Sequence, residues 1–238
     1  MPPNSAPDIA SPHAPIAHTE VLSVGARVAL DRQHIRSLKF REIKVREAFT
    51  IVDAAGTFFR ASLKSLRPGG GEAVAYEQMV SSPESPARIT LLCAVLSRQR
   101  MLVVVQKATE LGCVRVVPVH SEHSVPLDKL DKEKPWAWKG QALRASRQCR
   151  RASVPMVLDP IPLEEALQSA YWSKAVTRFV LDDAALGEDC NPLETIPTEP
   201  TSHVLAVGPE GGWSDREREL LVESGATPLR LGSRILRA

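Results

Sequence analysis

The sharpest chemical feature of the chain is a glycine-rich turn after a short apolar run, Val204-Leu-Ala-Val-Gly208-Pro-Glu210-Gly211-Gly212-Trp-Ser214-Asp-Arg-Glu217. Gly208, Gly211 and Gly212 lack side chains, so their N–H and C=O groups can come close to a ligand. Ser214 and Glu217 have the spacing of a capping box, which defines the start of a helix. The pattern predicts a strand, a loop lined by backbone groups and then a helix; a plain strand-to-helix turn would show the same residues. It is not GxGxxG and so matches a dinucleotide site poorly. A second feature is the end of the chain, Leu229-Arg-Leu231-Gly232-Ser-Arg234-Ile235-Leu236-Arg237-Ala238, a strand entering a loop with a glycine and two arginines. A third is Arg144, Arg147 and Arg151, which at i, i+3 and i+7 share one face of an expected helix. Such a face is either solvated or in contact with phosphates. Lys107 and Glu110 read as a surface pair. His120 and His123 have no third metal ligand at a usual spacing, and no metal is expected. Cys93, Cys113, Cys149 and Cys190 form no CxxC pair, which favours structural thiols.

The elements that position these residues follow from periodicity. Ala48 to Asp53 and Thr57 to Leu63 read as strands around an Ala54-Ala55-Gly56 turn, a hairpin within a β-rich stretch over about 20–80. Ser81-Ser-Pro-Glu-Ser-Pro-Ala87 reads as a linker between domains. Beyond it, apolar residues fall at helical spacing at Met101, Val104, Val105, Ala108 and Leu111, with Gly112 placed to end the helix. Further helices are expected at Trp138 to Arg151, Leu163 to Ala170 and Asp215 to Glu223. Strands are expected at 89–96, 114–119, 154–158, 175–181, 203–207 and 228–231. This alternation predicts an α/β domain with a mainly parallel sheet, whose ligands bind beyond the carboxyl ends of the strands.

Composition narrows the function class. Of 238 residues, 43% are hydrophobic and 24% charged, as in a packed globular protein. The balance of 30 Lys and Arg against 28 Asp and Glu argues against a globally basic nucleic-acid binder. The charge is unevenly spread, however: residues 138–158 hold five cations and no acid, whereas 179–199 hold six acids and no base. Local anion-binding surfaces are compatible with that distribution. The apolar runs are too short to span a membrane, and residues 1–17 lack the features of a secretory signal, which predicts a cytoplasmic protein. The Pro/Ala/Ser-rich residues 1–19 read as a disordered tail.

Four segments together resemble the RsmE family, the ribosomal small-subunit methyltransferases of the SPOUT (knotted) class that methylate N3 of a 16S rRNA uridine. They are QKATELGCVRVVPVHSEHSV (106–125), WKGQALRASRQCRRASVP (138–155), LAVGPEGGWSDRE (205–217) and LRLGSRILR (229–237). The resemblance spans about 87–238, and GPEGG followed by LGxRILR is its most specific part. It implies an α/β SPOUT trefoil-knot methyltransferase domain over 87–238, preceded by a PUA-like RNA-binding β-barrel over 20–80. S-adenosylmethionine (SAM) is the implied methyl donor. The implied partners are 16S rRNA, within the assembled small subunit, and a second copy in a homodimer. Carried over, Val207, Gly208, Glu210, Gly211, Gly212, Leu231, Gly232, Ile235 and Leu236 would hold SAM. Arg237, Glu210 and Arg234 would lie at the reacting centre, and Arg32, Arg36, Arg144, Arg147 and Arg151 would contact RNA. This chain has Arg147-Gln-Cys-Arg-Arg151 where the family usually has Glu-Gln-Cys-Gly-Arg, and Ser121-Glu-His-Ser124 where it usually has Ser-Glu-Arg-Ser. Family members continue beyond Arg-Ile-Leu-Arg with a final helix that walls the pocket. The sequence ends at Ala238, so the expectation is a fragment or a chain without that helix. Two other readings use the same residues: an RNA-binding protein of this fold without methyl transfer, and a SPOUT methyltransferase acting on another RNA.

Overall fold

A computed structural model describes residues 11–182 and 201–229. The chain divides into two compact units, one comprising 1–84 with 143–155 and the other 85–142 with 156–238. The 143–155 segment, expected within the second domain, is thus grouped with the first.

The first unit contains β1 (Ile16–Ala17), β2 (Arg27–Leu30), α1 (Arg32–Phe40), β3 (Ala48–Val52), β4 (Phe58–Arg67) and β5 (Gly70–Gln78). They form a five-stranded sheet in the order β1-β3-β4-β5-β2. The expected hairpin is present, with Ala48 opposite Ser62 and Val52 opposite Phe58. At its turn, Asp53 accepts from the backbone N–H groups of Ala55 and Thr57 at 2.9 and 2.8 Å. Inward-facing Val28, Leu30, Phe49, Ile51, Phe59, Ala61, Leu63, Ala73 and Ala75 close a core with Leu38 of α1. Asp31 and His34 cap α1 reciprocally.

Part of the segment read as a disordered tail belongs to this sheet. Ile16 and Ala17 pair in parallel with Ile51 and Val52, and Ile16 is buried. The buried Arg41 guanidinium holds the segment by donating to the carbonyls of Pro12 and Ala14 at 2.7 and 2.6 Å, and a further N–H goes to Ala152. Burial pushes the Arg41 pKa down to about 10, opposed by the Glu84 carboxylate, and it remains a cation at neutral pH. Composition missed this strand because the anchoring charge lies outside it.

The boundary between the units falls within the expected 81–87 linker, and Glu84 at that boundary is held within the first unit. Glu84 accepts from Arg151 Nη2 at 2.7 Å and Ser153 Oγ at 2.6 Å, and from the N–H groups of Ala152 and Ser153 at 2.8 and 2.9 Å. Burial alone would raise the Glu84 pKa, but the hydrogen bonds and charge of Arg151, with the Ser153 bonds, outweigh it and hold the carboxyl below its ordinary value.

The second unit contains β6 (Arg88–Ala94), α2 (Arg98–Glu110), β7 (Arg115–His120), a 3-10 helix (Leu127–Glu133) and the first half of α3 (Trp136–Gln148). There follow β8 (Met156–Val157), β9 (Ile161–Pro162), α4 (Leu163–Leu167), α5 (Ala170–Ser173), β10 (Thr177–Leu181), β11 (Ser202–Val207), α6 (Asp215–Glu223) and β12 (Thr227–Leu229). The strands are parallel throughout, in the order β12-β10-β11-β6-β7-β8, with β9 also on β7. Alternation divides their side chains between two faces. Leu92, Val117, Val119, Val204 and Ala206 pack with α4, α5 and α6 through Leu163, Trp172 and Leu221. Cys93, Val95 and Val116 pack with α2 and α3 through Met101, Val105 and Trp138. This is the mixed α/β architecture expected; its last segment, on which a knot depends, lies outside the described residues.

Four helices end in the same way, with two tightening backbone bonds and a left-handed residue. In α2, Cys113 N–H reaches Ala108 and Gly112 N–H reaches Thr109, with Gly112 at φ 91°. In α6, Ala226 reaches Leu221 and Gly225 reaches Val222, with Gly225 at φ 89°. In α1 and α3 the same pattern places Glu42 at φ 55° and Arg150 at φ 62°. Glycine is favoured there, and a side chain costs about 1 kcal/mol. The motif ends α3 at Gln148 rather than at Arg151, as the spacing had suggested. Arg151 therefore leaves the face shared by Arg144 and Arg147, and its guanidinium is buried against Glu84. That contradicts its expected place at an RNA surface.

Replacing Glu84 with Ala leaves Arg151 buried without its carboxylate and should cost about 3–5 kcal/mol in denaturant unfolding. Because the folded-state pKa of Glu84 is depressed, its stabilisation is present above the ordinary value of 4.5 and is lost as the pH falls through the folded value. Glu84→Gln should therefore flatten the acid limb of the stability profile. An unchanged acid limb would show that this carboxylate is not coupled to folding.

Candidate functional site

The parallel register brings β6, β7, β10 and β11 to a common carboxyl edge. β11 ends at Val207, and Gly208–Trp213 connect it to α6. Ser214 caps α6 as the spacing predicts, its Oγ accepting from Glu217 N–H at 3.3 Å while Glu217 Oε2 accepts from Ser214 N–H at 2.9 Å. The other Glu217 oxygen accepts from Glu122 N–H at 2.8 Å, so one carboxylate joins the helix cap to the loop after β7.

Further contacts fix the glycine loop. His123 Nδ1 lies 3.1 Å from the Gly212 carbonyl, placing the ring proton on Nδ1 as the donor. A Cβ at Gly211 would stand 3.0 Å from His123 Cβ, and one at Gly208 would stand 3.1 Å from the Trp213 indole nitrogen. These two glycines are thus needed for close approach. Glu210, expected at the reacting centre, forms an ion pair with Arg100 of α2. Its carboxylate accordingly ties the loop to that helix.

Three buried polar atoms at this end of the sheet have no hydrogen-bond partner among the described residues: His120 Nδ1, Ser121 Oγ and Trp213 Nε1. Unpaired buried polar groups are costly and call for a partner. Burial lowers the His120 pKa, which favours its neutral imidazole. The edge therefore combines a partly exposed glycine loop and tight glycine packing with buried polar atoms that lack a partner among the described residues.

Of the expected cofactor residues, Val207, Gly208, Glu210, Gly211 and Gly212 lie together in this loop. Leu231, Gly232, Arg234, Ile235, Leu236 and Arg237 lie outside the described residues. Among the expected RNA contacts, Arg32 and Arg36 are exposed on α1, and Arg144 and Arg147 are exposed on α3. Residue spacing gave no signal for Arg100. The contacts of Glu122 and His123 were hidden because they depend on strand order.

A family model described as an RNA methyltransferase domain matches residues 83–238, and the chain belongs to that family. Within it, the chain is a member of the small-subunit methyltransferase E group, SPOUT in class. It is 29% identical over 81% of its length to ribosomal RNA small subunit methyltransferase E of Synechocystis sp., spanning 62% of that protein. It is 23% identical to the protein of the same name from Buchnera aphidicola, over 91% of this chain and 87% of that protein. The crystal structure of the Neisseria gonorrhoeae enzyme bound to S-adenosyl methionine aligns at 31% identity and a TM-score of 0.60, over 94% of this chain and 92% of that one. A Legionella pneumophila methyltransferase in complex with SAM aligns at 26% identity and a TM-score of 0.60, over 93% and 90%.

His123→Ala removes the imidazole that bonds the Gly212 carbonyl and packs beside Gly211. It should speed amide hydrogen exchange at Gly211–Ser214 about tenfold or more while leaving β6 and β11 protected. Unchanged exchange in the loop would show that His123 does not hold it.

Proposed function

We propose that this chain methylates N3 of a uridine in small-subunit (16S) ribosomal RNA, with SAM as methyl donor. The observation that carries the reading is the glycine loop at the end of β11, held against His123 and α2 in a chain of the RNA methyltransferase family. Val207, Gly208, Gly211 and Gly212 hold the donor chiefly through backbone groups. The orphaned Ser121, His120 and Trp213 atoms supply hydrogen-bonding capacity around it. SAM supplies an electrophilic methyl group on a sulfonium sulfur.

The protein has two tasks in this chemistry. Uracil N3–H is a weak acid whose lone pair becomes available as the proton leaves, so negative charge on the uracil carbonyls must be stabilised. Arg234 and Arg237 are assigned that role. N3 must also be aligned with the methyl group, and rigid placement of the loop serves that end. Glu210, paired with Arg100, acts by positioning the loop. Arg32, Arg36, Arg144 and Arg147 contact the RNA. A homodimer working on the small subunit in the cytoplasm completes the reading. No helix among the described residues is long and apolar enough to cross a membrane.

Calorimetric titration should detect SAM binding to the wild-type chain, and Gly211→Val, which drives a side chain into His123, should abolish it. Equal affinity in the variant would place the pocket elsewhere. In cells, a strain lacking the gene should lose the N3-methyluridine stop in primer extension on small-subunit rRNA. Persistence of that stop would overturn the rRNA assignment.

A further inference from the structure

The carboxyl end of α3 places a non-glycine residue in the left-handed region. Arg150 occupies the left-handed position that closes the helix, at φ 62°, where α2 and α6 use Gly112 and Gly225. Its backbone is locked there: Arg151 N–H reaches the Ser146 carbonyl at 3.0 Å, and the Arg150 carbonyl accepts from Thr50 Oγ at 2.9 Å. Thr50 in turn accepts from the buried Arg60 at 2.8 Å. The side chain has no comparable anchor. It is exposed, and its carboxylate neighbour, Glu77, stands 3.8 Å away, beyond hydrogen-bonding distance. An exposed pair of that kind contributes little. An arginine held where glycine fits better points to a use for its guanidinium.

The surroundings suggest that use. An open groove of about 430 Å³ is lined by Glu47, Ala48, Arg144, Arg147 and Gln148. Glu47, its acid, is already engaged by Arg147 at 3.0 Å and by the Lys44 N–H at 2.8 Å. Arg46, next to Glu47, is also exposed and left-handed, at φ 76°. Exposed cations thus outnumber acids around the groove, while the backbone at Arg46 and Arg150 is fixed.

We propose that the end of α3 and this groove form a contact for the RNA phosphate backbone, in which Arg150 binds a phosphate beside Arg144 and Arg147. This rests on the reading of the chain as an RNA methyltransferase and adds a location and a residue to it. The contact is to backbone, because guanidinium groups on an open groove suit phosphate oxygens and no aromatic stacking residue lines it.

The test sets stability against binding. Arg150→Gly relieves the left-handed strain and should raise the melting temperature by about 2–4 °C. The same change should weaken binding of deproteinised 16S rRNA several-fold and reduce the slope of log affinity against log salt by about 1. Arg150→Lys should retain most of that slope, and SAM affinity should be unchanged in both variants. An unaltered rRNA isotherm in Arg150→Gly, or a fall in melting temperature together with affinity, would overturn the proposal. Should the wild-type chain bind SAM but no rRNA at any salt concentration, the RNA reading and this contact would fail together.

Discussion

A parallel sheet covered on both faces leaves few places where its backbone can meet a ligand. In the second unit, Leu92, Val117 and Val204 fill one face and Cys93, Val95 and Val116 the other, so the strand interiors are closed. Access is left to the loops at the carboxyl edge. The β11 loop is both constrained and open to a ligand: Gly208 and Gly211 admit close packing by Trp213 and His123, and Glu217 fastens the following helix to the β7 loop. The register of β6 and β11, with Val204 opposite Thr90 and Val207 opposite Cys93, sets where that loop emerges.

The first unit relies on charge in a different way. Buried Arg41 and the Arg151–Glu84 pair each satisfy several backbone groups that have no partner in the sheet or in a helix. Their value lies in directed hydrogen bonds, since a buried charge is tolerated only when it is paired and hydrogen-bonded. Arg32 and Arg36 of α1 and Arg144 and Arg147 of α3 are exposed instead. This division explains how five neighbouring cations in 138–158 can serve different ends: Arg151 is spent on the fold, while Arg144, Arg147 and Arg150 face solvent.

What could be read in the sequence was local. The Ser214–Glu217 cap, the hairpin turn at Ala54-Ala55-Gly56 and the stop at Gly112 each follow from residues within one turn of the element they define, and each is present. The end of α3 was misread because its terminating residue is Arg150 and carries none of the usual glycine signal. Ile16 was missed because its strand is held by an arginine about 25 residues away. Arg100 and His123 became visible only once the strand order had brought separate segments together at one edge. The loop was therefore legible as a candidate site, and its supports were not.

The proposed task of the β11 loop is to present SAM for transfer to N3 of an rRNA uridine. Its most direct test is to incubate the purified chain with methyl-labelled SAM and small ribosomal subunits lacking the modification, then digest the rRNA and separate its nucleosides. Label is expected in 3-methyluridine. Label in any other nucleoside, or none while SAM is bound, would contradict it.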